Sequence, residues 1–536
     1  MSNIFKPKFI LSAAAMALLA SCGGSPTPAA SSATPSTETH TSSATKTEES
    51  SAAKSSEAPV SQAQSATGSV ASSSPSSEIE IPDEVSISFW STGSQGMTTQ
   101  LQLLAEDFEE AILENTGKTV HVEVTVEGGY DDIEDKISKG LAIGNIPTMA
   151  VAYPDTVANI IASEPANKHY LYDISSYMDD PKIGFTKQSY LGDTSTADKE
   201  DIVEAYFDEG THYAREGMFS YPFMKSSEVM FYNVNNVENA YKFYKPTVIG
   251  KDAIRQDLSH MTWDEFEDLL ASAMDHKDQV LTSMKRAAWY DSDSNWFITQ
   301  MYQRGIDYTS IVDGKGQIDF ETGDNRSKAE AMVAEFKTLY DNNLITTKGI
   351  ENTYGSTAFT NEEVLFEIGS SGGTGYNMPE GLQPEDIGIV RVPAYNNNPM
   401  YVSQGPTLTF LKNPTISDAA NDVQMYYAWQ FAKYLTNPGN NVRLCTIGSE
   451  GYLPIRYSAY DLPEYMEFLD EPSIYASSAK VLIEEINGDY YNAPVFPGSA
   501  ELRDKVGGII PEVLKSGANI KDSFDNAIRQ AKTAMD

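Results

Sequence analysis

Cysteine is nearly missing from this chain: 536 residues carry two, Cys22 and Cys445. No metal-type cysteine spacing can be built from so few. Basic residues are scarce as well, 38 Lys and Arg against 76 Asp and Glu, for a formal net charge of −38. A surface of that sign repels nucleic acid and anionic lipid. An anionic ligand would need a local basic or amide-rich pocket. Long apolar runs are absent too, since spanning a bilayer takes about 20 residues and no stretch supplies them. What is present is a chain 40% hydrophobic and 10% aromatic, ample for a large core divided into two or three domains or lobes.

The start of the chain is organised for export. Lys6 and Lys8 precede an apolar run from Phe9 to Ala20, and Leu19-Ala20-Ser21-Cys22 follows. A charged start, apolar middle and small-residue exit make residues 1–21 a signal peptide. The cysteine placed there looks like a bacterial lipobox, which implies cleavage before Cys22 and a diacylglycerol on its thiol. Two acyl chains hold a protein on a membrane where one is marginal. Cys445 is then alone, and no intrachain disulfide is available. Residues 22–80 are Ser, Thr, Ala and Pro with scattered charge. They cannot bury a core and are expected to be disordered. A tether of this length reaches roughly 40 Å.

Order is expected from Ile81. Val85–Trp90 alternates and predicts a strand. Leu101, Leu104, Ala105, Phe108 and Ile112 recur at helical spacing, with Gly117 suited to the stop. Val120–Val126 alternates again, Gly128-Gly-Tyr-Asp-Asp132 opens a second helix ending near Gly140, and Thr148–Tyr153 is a third strand. Strand, helix, strand, helix, strand at these lengths predicts a parallel sheet with crossover helices. Ligands bind off the carboxyl ends of such strands, here Trp90–Gly93, Gly128–Tyr130 and Tyr153–Asp155. Further on, Ser220–Phe223, Val229–Tyr232, Val364–Ile368, Ile387–Val390 and Thr407–Phe410 are expected extended. Thr262-Trp-Asp-Glu265 is a capping box and thus structural. Helices are expected over about 325–341 and from about Ser417 to before Pro438.

These pieces, in this order, resemble the extracellular solute-binding proteins of ABC importers, in the broad sugar-binding family and nearest its glycerol-3-phosphate-binding branch. The resemblance rests on Ile87-Ser-Phe-Trp90, Gly128-Gly-Tyr-Asp-Asp132, Gly144-Asn-Ile-Pro147, Tyr221–Ser227 running to Phe231-Tyr-Asn233, Thr262–Phe266, Ser370-Ser-Gly-Gly373, Gln404-Gly405, Gly451-Tyr-Leu-Pro454 and Ala459–Leu462. It spans about 85–536. It implies two α/β lobes with a ligand cleft between them and hinge crossings near 226–233, 368–373 and 404–410. The implied partition is lobe 1 at about 81–228 and 370–405, and lobe 2 at about 229–369 and 406–536. Carried onto matching positions, the implied site holds Tyr130, Ser226 or Ser227, Ser370 or Ser371, Gly372 and Gly373, the Gly405 amide, and Tyr452. Trp90, Tyr153, Trp289 and Tyr290 are candidate stacking faces for a polyol. The branch places a carboxylate directly after the strand tyrosine. Here Pro154 intervenes and Asp155 is next. The branch also has a phosphate-binding arginine, for which Arg503 and Arg456 are candidates. Both departures favour a neutral sugar over a phosphate ester. No cofactor or metal is implied. The implied partners are a small carbohydrate or polyol phosphate, the membrane through the lipid, and separate permease subunits.

Two other classes compete. Gly369–Gly373 matches the G-x-S-x-G elbow of α/β-hydrolases, but a poor helix start follows and no histidine lies after Ser371. Asp291–Asn295 resembles the start of a calcium loop, yet Trp296 occupies the required glycine position and Tyr302 the glutamate position. A stalked surface adhesin would explain anchor and tether but not the two-lobe pattern.

Overall fold

The computed structural model describes residues 79–165, 168–185, 199–395, 398–448, 451–486 and 490–535. The expected signal peptide, Cys22 and all but the last two residues of the expected tether lie outside the described residues. Among the described residues no helix is long and apolar enough to cross a membrane.

Strands are numbered along the chain. The first sheet runs in the order β2 (Thr119–Val126), β1 (Glu84–Ser91), β3 (Met149–Ala152), β13 (Thr407–Phe410), β4 (Tyr221–Pro222). The second runs β11 (Ile387–Arg391), β5 (Glu228–Asn233), β10 (Val364–Ser370), β6 (Arg286–Tyr290), β9 (Ile345–Thr347). A hairpin, β7 (Thr309–Val312) and β8 (Lys315–Ile318), and a short ladder, β12 (Tyr401–Val402) and β14 (Tyr490–Tyr491), complete the set.

Local sequence explains the first sheet. Val85, Ile87 and Phe89 alternate into the core of β1, and β2 and β3 both pair with β1 in parallel. Parallel pairing requires crossovers, and helix Gln95–Thr116 supplies the one from β1 to β2, helix Tyr130–Gly140 the one on to β3. The Ser94 hydroxyl accepts from the Met97 amide at 3.2 Å to cap it, and Gly117 ends it at φ 69°. Its buried stripe is the predicted one: Leu101, Leu104, Ala105, Phe108 and Ile112. The capping box also forms, with Glu265 N–H donating to the Thr262 hydroxyl at 3.3 Å and Thr262 N–H donating to the Glu265 carboxylate at 3.1 Å.

The second half of the chain divides differently from expectation. β13 pairs antiparallel with β3 and β4, so the chain after 406 returns to the first sheet. Helix Asp418–Leu435 lies on that sheet too, where Phe431 meets Phe108 and Phe89 at ring-centroid distances of 5.1 and 6.2 Å. In the opposite sense, β11 pairs with β5, so 387–391 belongs to the second sheet. Fully buried strands such as β13 carry no alternation that identifies their sheet. Only long-range pairing decides it, here Thr409 beside Ala150.

The two lobes join through extended segments lying side by side. The Lys225 and Leu453 backbones exchange hydrogen bonds of 3.1 and 2.7 Å, and those of Ser226 and Gln404 exchange 2.9 and 3.0 Å. The crossings are therefore 223–227, the run through Gln404, and the run through Leu453. The segment 368–373 is not a crossing. It leaves β10, forms a 3₁₀ turn over Ser371–Tyr376 and stays with the second lobe. Two glycines make the junction possible. Gly405 has φ 107°, and a Cβ there would stand 2.4 Å from the Met224 carbonyl. Gly451 has φ 105°, and its Cβ would stand 2.3 Å from the Ser371 carbonyl. Beneath them Lys225, fully buried, donates to Glu209 at 2.6 Å.

Candidate functional site

A cleft of about 1740 Å³ opens between the lobes. That exceeds the roughly 300–1,000 Å³ of ordinary small-molecule pockets. Its walls are strand ends and helix starts. From the first lobe come Tyr153 and Asp155 after β3, and Tyr130 at the start of helix Tyr130–Gly140. From the second lobe come Asp291–Asn295 after β6, Ser370 at the end of β10 and Gly373 beyond it, while the junction supplies Ser226, Gln404, Gly405 and Tyr452. Arg503 enters from helix Ser499–Lys515.

Tyrosines form one end. The Tyr130 and Tyr153 rings lie 4.3 Å apart at 42°. Tyr452 covers Gly372, where an added Cβ would meet the tyrosine ring at 3.1–3.3 Å. Burial and the neighbouring Tyr452 and Tyr153 hydroxyls push the Tyr130 hydroxyl well above the ordinary tyrosine range. These rings thus remain neutral donors and apolar faces at any physiological pH.

Carboxyls dominate the centre. Glu228 accepts from Tyr290 and from the Asn295 amide at 3.0 Å, and burial pushes it up to about 7. Glu367 is 1% exposed and raised by burial, then by the adjacent Asp291 and Glu228. Asp155 accepts from the Ser499 hydroxyl at 2.7 Å; burial raises it, opposed by Arg503. Arg503 donates to Asn295 and acts electrostatically on Asp155 and Glu228 alike. Ten carboxylic side chains line the cleft against three basic ones. Several cleft-lining polar atoms have no hydrogen-bond partner among the described residues: the Tyr308 and Thr309 hydroxyls, the Ser403 hydroxyl, and the side-chain oxygens of Asn377, Asn492 and Glu367. Buried polar atoms are normally paired, which makes this group of unpaired atoms in one cleft wall unusual.

Of the residues singled out in the sequence, the structure gathers Tyr130, Tyr153, Asp155, Ser226, Ser370, Gly405, Tyr452 and Arg503 around this cleft. Others sit elsewhere. Trp90 is on the opposite face of β1 from Phe89 and lines a separate 480 Å³ pocket with Ser88, Thr125 and Lys136. Trp289 is buried in the second lobe, flanking Gly355 together with the stem of Glu367. Tyr290 is buried and donates to Glu228. Ser227 and Ser371 are fully buried in the junction, where the Ser371 hydroxyl donates to the Gly451 carbonyl at 2.7 Å. A serine so engaged, followed by a 3₁₀ turn, lacks the exposed hydroxyl and helix of a nucleophile elbow. Arg456 is buried below the junction, donating to the Thr436 carbonyl at 2.9 Å. Sequence reasoning missed Glu228, Glu367 and Asn295. The available signal was a glutamate inside each of two otherwise apolar strands, Glu228-Val-Met-Phe and Val364-Leu-Phe-Glu367. Asp291–Asn295 is a helix start, with Ser292 accepting from the Asn295 amide at 3.2 Å.

Two α/β lobes on an extended junction, with a polar, tyrosine-walled cleft between them, define a two-lobe binding protein. Residues 104–468 match the family of bacterial extracellular solute-binding proteins, and the chain belongs to that family. No curated protein sequence matches the chain. Solved structures share the fold at low identity. The GacH receptor of Streptomyces glaucescens, studied unliganded and with acarbose, is 15% identical with a TM-score of 0.59, over 84% of this chain and 98% of that one. The substrate-binding protein Lmo0181 of Listeria monocytogenes, in complex with cycloalternan, gives 14% and 0.61 over 84% and 99%. UgpB of Mycobacterium tuberculosis, in complex with glycerophosphocholine, gives 16% and 0.59 over 84% and 98%. The family and these neighbours are binding proteins rather than enzymes.

Proposed function

We propose that this protein is a lipid-anchored receptor on the outer face of the membrane, held through Cys22, that captures a carbohydrate and hands it to the permease of an ABC importer. The observation that carries the carbohydrate reading is the set of partnerless hydroxyl, amide and carboxyl oxygens lining a cleft with tyrosine faces. Sugar hydroxyls both donate and accept, and their C–H faces pack on aromatic rings. A phosphate offers mainly acceptors, into a cleft that already has an excess of them. A glycerophosphodiester is the second reading. Arg503 inside the cleft and the fold shared with UgpB favour it. Against it, that guanidinium already acts electrostatically on Asp155 and Glu228.

Thermal unfolding against mono- and oligosaccharides, glycerol-3-phosphate and glycerophosphocholine separates the readings. A ligand at 100 times its dissociation constant adds about 2.7 kcal/mol. Stabilisation by sugars supports the proposal, and stabilisation by phosphate esters alone replaces it with the second reading. For the anchor, labelled fatty acid is expected to be incorporated into the wild type and not into Cys22→Ser. Equal labelling of both would refute lipidation at Cys22.

A further inference from the structure

We infer that the captured solute is an oligosaccharide of at least three sugar rings, held at both ends of the cleft by a Tyr–Asn pair, Tyr376-Asn377 and Tyr491-Asn492; this rests on the carbohydrate reading above. Both pairs line the cleft. In each, the asparagine spends its amide nitrogen on a backbone carbonyl, that of Gly373 for Asn377 at 3.5 Å and that of Ala205 for Asn492. Each side-chain oxygen is then buried with no donor among the described residues. Asn377 as a whole is 2% exposed. A buried amide oxygen is an acceptor, and a sugar hydroxyl is the donor it lacks.

Backbone pairing sets the distance between the two ends. Consecutive residues of an extended segment turn their N–H and C=O groups to opposite sides. Lys225 and Ser227 face Leu453 and Ser371, Ser226 faces Gln404 the other way, and Ser403 beyond it faces Tyr491. The segments holding Tyr491 and Ser371 therefore lie three strand spacings apart, about 14 Å. From Ser371 the chain runs through its 3₁₀ turn to Tyr376 and Asn377. That span exceeds the two rings of a disaccharide. The ends also carry aromatic surface. Tyr376 is 76% exposed and presents its ring at the cleft edge. The Tyr491 ring rests on Tyr302, which meets Tyr308 at a ring-centroid distance of 6.4 Å. Tyr308 and Thr309, 4% and 8% exposed, add at that end two hydroxyls without partners among the described residues. Each end thus has a ring face and buried polar atoms for a sugar of its own.

The test is calorimetric titration of the purified protein with maltose, cellobiose and mannobiose and with the tetraoses of the same three series. In a series that binds, the tetraose is expected to bind at least about tenfold more tightly than the disaccharide. Tyr376→Ala at one end and Tyr308→Phe at the other should each weaken the tetraose by about fivefold or more. The disaccharide, which cannot reach both ends, should be weakened by at most one of them. Asn377→Ala and Asn492→Ala should repeat this pattern, and they replace the tyrosine variant at either end where that one fails to fold. Equal affinities for disaccharide and tetraose would overturn the inference and leave the carbohydrate reading standing. So would a disaccharide weakened from both ends, or a tetraose indifferent to either end. Absence of binding by every saccharide of the panel would remove both readings.

Discussion

Among single residues, Glu228 makes the sharpest prediction. Its carboxyl is raised from an ordinary 4.5 to about 7, first by burial. A carboxyl with a raised folded-state value binds its proton more readily folded than unfolded. Its contribution to stability is therefore full below about 4.5 and is lost as pH rises through about 7. The size is on the order of 3 kcal/mol. The unliganded protein should melt at a higher temperature at pH 5 than at pH 8, and Glu228→Gln should flatten that slope. An unchanged slope in the variant would mean that Glu228 titrates normally. Tyr130 and Trp90 offer a second contrast. Tyr130→Ala should weaken solute binding by about tenfold, through a lost aromatic face. Trp90→Ala, in its separate pocket, should leave affinity within about twofold, under half a kcal/mol. Equal losses in both variants would place the solute outside the cleft described here.

At the scale of elements, the junction is the critical piece. Lys225→Met leaves Glu209 buried without its cation, and breaking such a pair costs about 3–5 kcal/mol. Chemical denaturation should show that loss, and the double variant Lys225→Met, Glu209→Gln should recover most of it. No loss in the single variant would contradict a structural role for the pair. The elements themselves were largely legible in the sequence. Alternation predicted β1 and β2, helical spacing predicted Gln95–Thr116, and hydroxyl and carboxylate spacing predicted the Thr262 cap. These signals are local. The assignment of β11 and β13 to their sheets was not legible, because both are buried on each face and the choice depends on pairing across more than a hundred residues. The site divided in the same way. Tyr130 and Tyr153 stood out at strand ends, whereas Gly405 and Tyr452 came from the family resemblance. Ser227 and Ser371 carry the same residue type as Ser226 and Ser370, and only the path of the junction turns their hydroxyls inward. Trp90 stood at a strand end, but the twofold alternation of β1 turns it away from the core face that Phe89 occupies.

For the whole molecule, binding and shape are one question. Asp155 of the first lobe accepts from Ser499, which opens a helix packed in the second lobe against helix Asp293–Gln303. This bond joins the two lobes, and hinge closure is how two-lobe receptors retain their solute. Ser499→Ala should speed solute release by about three- to tenfold with little change in the association rate, about 1 kcal/mol for one lost hydrogen bond. Stopped-flow fluorescence would measure both rates, and a slowed association with unchanged release would argue against a latch. The central claim is that a carbohydrate occupies the tyrosine-walled cleft. Its most direct test is calorimetric titration of the wild type and Tyr452→Ala with the most stabilising oligosaccharide. The account expects one site per chain in the wild type and an affinity about tenfold lower in the variant, with both proteins folded. Equal affinities would contradict it, and so would a wild type that binds glycerophosphodiesters but no sugar.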